Sequence, residues 1–365
     1  MIISNNINYN NNYNFSINKG STPRFNSVGL KTDTVSFKKN DQPIEMKLKR
    51  ISGLHDPYSK IVMVSDEDYA KYLRKISKRP NAETMINLLE SGYKENLFEP
   101  EATALSMISD YYEDLKKRNI NDARNKDLHD ICKALYVPSK LNLAKNQLKV
   151  VDELNSYISL TKGSTNDILT NIIAPVEDSI RDDSFRISPL IKEVYEAKGL
   201  DKTAKKTVLK IMEKFPNSRN SADVFIINNA HKSHENIASA FLDPSRVSIE
   251  HIKPQSNSGH SDVCNYLIAS KRMNNLKSNI PLSRFIDMHP DIPNNMQKYF
   301  DDIISKINKG GLSYITIALP DLTATIEKES KGKVLIDLDN LSLKEVAKAS
   351  YMKQKISELI SHFQK

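Results

Sequence analysis

The 365-residue chain has only two cysteines, Cys132 and Cys264. That argues against a disulfide framework and excludes a zinc site built from cysteines alone. Long apolar runs are also missing, since no stretch approaches the ~20 residues needed to span a bilayer. The first residues, MIISNNINYNNNYNF, have neither the basic start nor the apolar core of a secretion signal. A cytoplasmic protein without a membrane partner is therefore expected. No internal repeat, helix-turn-helix or zinc-finger pattern stands out.

Hydrophobic residues make up 39% and charged residues 27%, which fits a globular chain long enough for two or three domains. The net charge is +8 and the pI about 9.1. Such a balance favours polyanions, although many basic proteins bind no nucleic acid.

Residues 1–45 are rich in Asn, Ser, Thr and Lys without a sustained period, and read as disordered. Residues 46–185 read as a helical domain whose role the sequence does not reveal. Ser65 is the expected N-cap of SDEDYAKYLRKI, and Gly92 the expected C-cap of AETMINLLESG. Pro175 is expected to kink or split the helix around it. His55 to Met63, HDPYSKIVM, reads as a turn followed by a short strand or extended segment, with His55 and Asp56 serving the turn. Residues 201–220 carry six cations, Lys202, Lys205, Lys206, Lys210, Lys214 and Arg219, against Asp201 and Glu213. Either a solvated helix face or a phosphate-contacting helix fits them. Residues 301–365 read as a mainly helical extension. Within it, 312–341 stay unsettled and the last helix opens with a capping box at Ser342 and Glu345.

One stretch carries chemistry: SIEHIKPQSNSGHSDVCNYLIASKRMNNLKSNIPL. RVSIEHI alternates and is rich in β-branched residues, so it reads as a strand, with Pro254 marking its end. NSGHSD is a polar loop, NYLIAS a second strand, and KRMNNLKSNIPL the start of a helix. Glu250 and His251 are strand neighbours. They should diverge unless the strand ends or bends there. Asn274 and Lys277 are three apart and share a helix face. Glu250 and Asn274 have oxygens suited to a hard cation, and His251 titrates near neutrality as a general base does.

The ordered set Glu-His-Ile-x-Pro, Asn-Tyr-Leu, Asn-Asn-Leu-Lys resembles the HNH (ββα-metal) endonuclease motif. It is similar to the Asn-bearing form of that motif in RNA-guided CRISPR effectors. The resemblance covers roughly residues 222–286. It implies an α+β, mostly α-helical protein in which a small ββα-metal module sits among helices. The nuclease domain would span 186–300, with its core at 246–286. By resemblance, Glu250 and Asn274 would hold Mg²⁺ or Mn²⁺, and His251 would be the general base. Asn265 would brace the loop that positions His251. Lys277 would contact a phosphate, with Arg272 and Arg284 as further backbone contacts. The implied function is metal-dependent hydrolysis of phosphodiesters, in DNA rather than RNA by preference.

Three departures stand beside the likeness. Glu250 occupies a position where Asp is usual. The two Cys-x-x-Cys pairs of many relatives are missing, and His231 and His234 cannot complete a tetrahedral site without a second pair, so no structural zinc is expected. Ser278 stands where some relatives have a second helix histidine. A non-catalytic nucleic-acid-binding protein that kept the fold, and a nuclease toxin, therefore remain alternatives. A protein partner or a homodimer is also open.

Overall fold

The computed structural model describes residues 44–118 and 126–342, with 344–348, 350, 351 and 354 beyond them; of residues 44, 45, 313 and 314 only the backbone is described. The segment expected to be disordered over 1–45 lies outside the described residues, apart from 44 and 45. The described chain is mostly helical with one two-stranded sheet. Among the described residues, no helix is long and apolar enough to cross a membrane.

Helices α1 (Ile44–Leu48), α2 (Asp66–Lys78), α3 (Ala82–Gly92) and α4 (Glu99–Lys117) lead into the long α5 (Leu128–Leu160). There follow α6 (Ser164–Arg181), α7 (Ile187–Glu196), α8 (Lys202–Met212), α9 (Ala222–Asn229) and α10 (His234–Leu242). The sheet comes next, β1 (Val247–His251) and β2 (Tyr266–Ser270). It is followed by α11 (Lys271–Lys277), α12 (Leu282–Met288), α13 (Ile292–Asn308) and α14 (Ser313–Ser330).

Local chemistry accounts for most boundaries. Ser65 caps α2 by accepting from Asp68 N, as its residue type predicts. Asn81, Asp127, Asp201, Ser221 and Ser233 cap α3, α5, α8, α9 and α10 in the same manner. Gly92 is the last residue of α3, and Tyr93 is the cap itself. Pro175 does not split its helix, since α6 runs through it, and α5 likewise runs through Pro138. A proline removes one helical hydrogen bond, and packing of the buried Ile172, Ile173 and Val176 outweighs that loss. HDPYSKIVM forms the expected turn, and the segment after it pairs through an isolated bridge between His55 and Val62 rather than a full strand. Residues 312–341 settle largely into α14. The expected C-terminal helix lies largely outside the described residues, although Ser342 O accepts from Glu345 N and Val346 N.

Three buried clusters organise these elements. One gathers Val150 to Phe215, from the C-terminal half of α5 through α8. A second joins α2, α3, α4 and the start of α5 to α9 and α10. The third holds the sheet. It packs Leu54, Tyr58 and Met63 against Val247, Leu267, Met273, Phe285 and Phe300, and extends to Ile326 of α14. The hairpin thus rests on residues nearly 200 positions upstream, and Val64, of the second cluster, pairs in parallel with Arg246 at the entry to β1.

Candidate functional site

Strands β1 and β2 are antiparallel, with Glu250 opposite Leu267 and His251 opposite Tyr266. Antiparallel pairing needs a connection. Here it is a 14-residue loop whose two short 3-10 turns cover Gln255–Asn257 and Val263–Asn265. Ser270 ends β2 and caps α11, its hydroxyl accepting from Met273 N. Strand, loop, strand and helix therefore follow one another as a ββα unit, in the order the sequence suggested.

Asn265 is buried and binds the loop three times. Its Oδ1 accepts from Lys253 N at 2.9 Å, and its Nδ2 donates to Lys253 O at 3.0 Å and to His260 O at 2.8 Å. Its own carbonyl accepts from Ile252 N. The backbone immediately after His251 is thus fixed by one side chain. Gly259 closes the same loop so tightly that a Cβ there would lie 1.9 Å from Lys253 O.

His251 is half-buried, with its ring edge-on to Tyr266 at 5.0 Å. The Gln255 amide donates to His251 Nε2 at 3.2 Å and to Ser261 Oγ at 2.8 Å. An acceptor role for Nε2 puts the ring proton of the neutral imidazole on Nδ1 and leaves the Nε2 lone pair as the basic site. Burial first, and then the charge of Lys277, hold the imidazole below its ordinary pKa. Both favour the neutral form that a general base requires.

The strand continues through His251, so Glu250 and His251 point to opposite faces. Glu250 turns inward, 3% exposed, and its carboxylate meets the ammonium of Lys277, which is fully buried. The Lys277 ammonium also donates to His251 O at 3.0 Å. Burial pushes the Glu250 carboxyl up to about 7, against the pull of Lys277. Asn274 reaches the same strand from α11, its Nδ2 donating to Ser248 Oγ at 2.7 Å and to Ile249 O at 2.9 Å.

The donor set does not fit a resident divalent cation in this arrangement. Such an ion needs several oxygens and tolerates no ammonium among them. Glu250 is already taken by Lys277, Asn274 has one oxygen to offer, and no cluster of three His, Cys, Asp or Glu suited to a metal occurs among the described residues. The phosphate contacts expected of Lys277 and Arg272 do not fit either. Lys277 is inaccessible. Arg272 is 12% exposed, paired with the buried Glu101, bonded to Ser218 O and stacked over Phe98. Arg284 is exposed on α12 and keeps its candidacy.

Other histidines and cysteines stand apart from this cluster. His260 and Asp262 are exposed in the loop, and Asp262 caps the second 3-10 turn by accepting from Cys264 N. Cys264 is half-buried and Cys132 fully buried. His234 is structural, accepting from Leu128 N at 3.1 Å.

One residue that the sequence places only in a turn also shapes the site. Asp56 is completely buried, accepting from Tyr58 N at 2.7 Å and from Ser270 N at 3.1 Å. It thereby ties the HDPYSK turn to the start of α11. Burial raises its carboxyl to about 6, with the hydrogen bonds to Ser270, Tyr58 and Ser59 opposing. The only signal was the Asp-Pro-Tyr turn itself, in which an aspartate bonds to the backbone two residues on. No family model matches the chain, and no curated protein or solved structure matches it.

Proposed function

We propose that the β1–β2–α11 unit is an endonuclease site at which His251 acts as general base on a phosphodiester. The observation that carries this is the Asn265 brace, which holds the backbone immediately after His251. A water gives its proton to His251 Nε2 as its oxygen bonds to phosphorus; the phosphorus–ester oxygen bond breaks, and the departing oxygen takes a proton from a second water. Gln255 must first release the lone pair it now bonds. Such base catalysis is typically worth about 10²–10⁴-fold in rate. The positive balance of the chain and the exposed Arg284 would draw in the phosphate backbone. Because the chemistry meets phosphate rather than bases, DNA is the first substrate to test and RNA the second.

The experiment is incubation of the wild type and His251→Ala with supercoiled plasmid, single-stranded DNA and RNA, in Mg²⁺, Mn²⁺ or EDTA. Cleavage by the wild type alone supports the proposal. Equal cleavage by both proteins, or none of any substrate, overturns it.

A second reading is favoured by a specific observation: Gln255 and Lys277 occupy the polar atoms of His251 and Glu250. A binding protein that keeps the fold without catalysis would leave them so. It would bind nucleic acid with a steep salt dependence and cut nothing.

A further inference from the structure

We infer that Lys277 is the resident cation of this module: its buried ammonium holds oxygens that a divalent ion would need, so no Mg²⁺ or Mn²⁺ binds there while Lys277 is in place. This deepens the nuclease reading, yet its test needs no cleavage.

The geometry is one-sided. The Lys277 ammonium contacts the Glu250 carboxylate and His251 O, joining the side chain of one strand residue to the backbone of the next. An ammonium is a compact charge with three donors and no acceptor. It therefore neutralises the carboxylate and spends its protons on oxygens, as a metal ion spends its coordination positions. Both partners are inaccessible, with side-chain exposures of 0% for Lys277 and 4% for Glu250. A divalent ion arriving from solvent would have to expel the lysine from its pocket or sit against a like charge.

The neighbours offer little in its place: Asn274 keeps one oxygen, too few for a divalent ion. Asn274 commits its amide nitrogen to Ser248 and Ile249. Asp56 accepts from Tyr58 N and Ser270 N. Ser278, just past α11, is exposed. A cation carried on the chain cannot be removed by a chelator, so any cleavage at this site should survive EDTA.

The test is titration of the full chain with Mn²⁺, read by loss of the free-ion electron paramagnetic resonance signal. The wild type is expected to take up no stoichiometric Mn²⁺. Lys277→Met, which leaves the carboxylate unpaired, should gain one Mn²⁺ at least about tenfold tighter than any wild-type uptake. The double variant Glu250→Gln/Lys277→Met, neutral at both positions, should lose that gain. One tightly bound Mn²⁺ in the wild type that Asn274→Ala removes would overturn the inference. So would a folded Lys277→Met that gains nothing. Should Lys277→Met fail to fold, the wild-type titration and its Asn274→Ala control decide alone. A protein that cuts no substrate leaves this result standing, and a protein that cuts only with added metal sinks the inference while keeping the nuclease.

Discussion

The side chain of Asn265 bonds both the amide and the carbonyl of Lys253, at 2.9 and 3.0 Å, as an opposing strand residue would. It extends the β1–β2 ladder past His251 without further strand pairing. Asn265→Ala should cost about 1–3 kcal/mol, the range for orphaning buried backbone groups. Amide exchange of Lys253 should rise far more than that of Leu267. A uniform rise across the sheet would mean that Asn265 supports the fold in general and not the His251 loop.

His251→Ala removes the base and little buried area. Cleavage should fall by about 10²-fold or more, with thermal stability and nucleic-acid affinity nearly unchanged. His251→Gln should be equally inactive, because an amide cannot take the proton. Comparable loss of affinity in both variants would point instead to a contact residue.

Gly259 lies under Lys253 O with no room for a methyl group. Gly259→Ala must push the loop outward, and the buried Asn265 contacts would break with it. We expect lost cleavage together with a lower melting temperature. A variant with unchanged melting and full activity would show that the loop adapts more freely than its hydrogen bonds imply.

Arg272 separates burial from surface chemistry. Removing it leaves Glu101, 2% exposed, as an uncompensated charge, a loss of about 3–5 kcal/mol. Urea denaturation of Arg272→Met measures this directly. A phosphate contact would instead lower the salt dependence of nucleic-acid binding by about one ion and leave stability alone.

Asp56 sets a pH dependence whose sign can be worked out. Its folded pKa, about 6, lies above the ordinary value of 3.8, so the native state binds this proton more tightly. Its contribution is fully present below about pH 4 and is lost as pH rises through about 6, on the order of 3 kcal/mol in total. His234, His251 and His289 are held below their ordinary values and act oppositely, losing stability as pH falls. The informative measurement is therefore the difference between wild type and Asp56→Asn at pH 5 and pH 7.5. Asp56→Asn should be the more damaging at pH 5. Equal differences at both values would dismiss the shifted carboxyl.

Much of the framework could be read from single residues. Ser65, the alternation of RVSIEHI and the placing of Asn265 at the head of NYLIAS carry local signals, and each local structure follows from its own few neighbours. What could not be read depends on partners distant in sequence. Lys277 looked like a surface cation because nothing in KRMNNLKS reveals that Glu250 lies over it. Arg272 depends on Glu101 and Phe98, both more than 150 positions away. Asp56 acts through Ser270, 214 residues further on. The split allowed at Pro175 fails for the same reason, since tertiary packing decides whether a helix survives a proline.

The attachment of the hairpin to Leu54, Tyr58, Met63 and Asp56 has a consequence for how the unit can travel. The stretch from Arg246 to Ile286 is not a portable cassette. Cut out, it would carry an apolar underside without its cover and a helix start without its acceptor. Transplanting the chemistry into another scaffold would require the segment around residues 48–64 to move as a second, discontinuous graft. Gene fusions that break the chain between these two pieces should therefore yield insoluble products rather than a free-standing site.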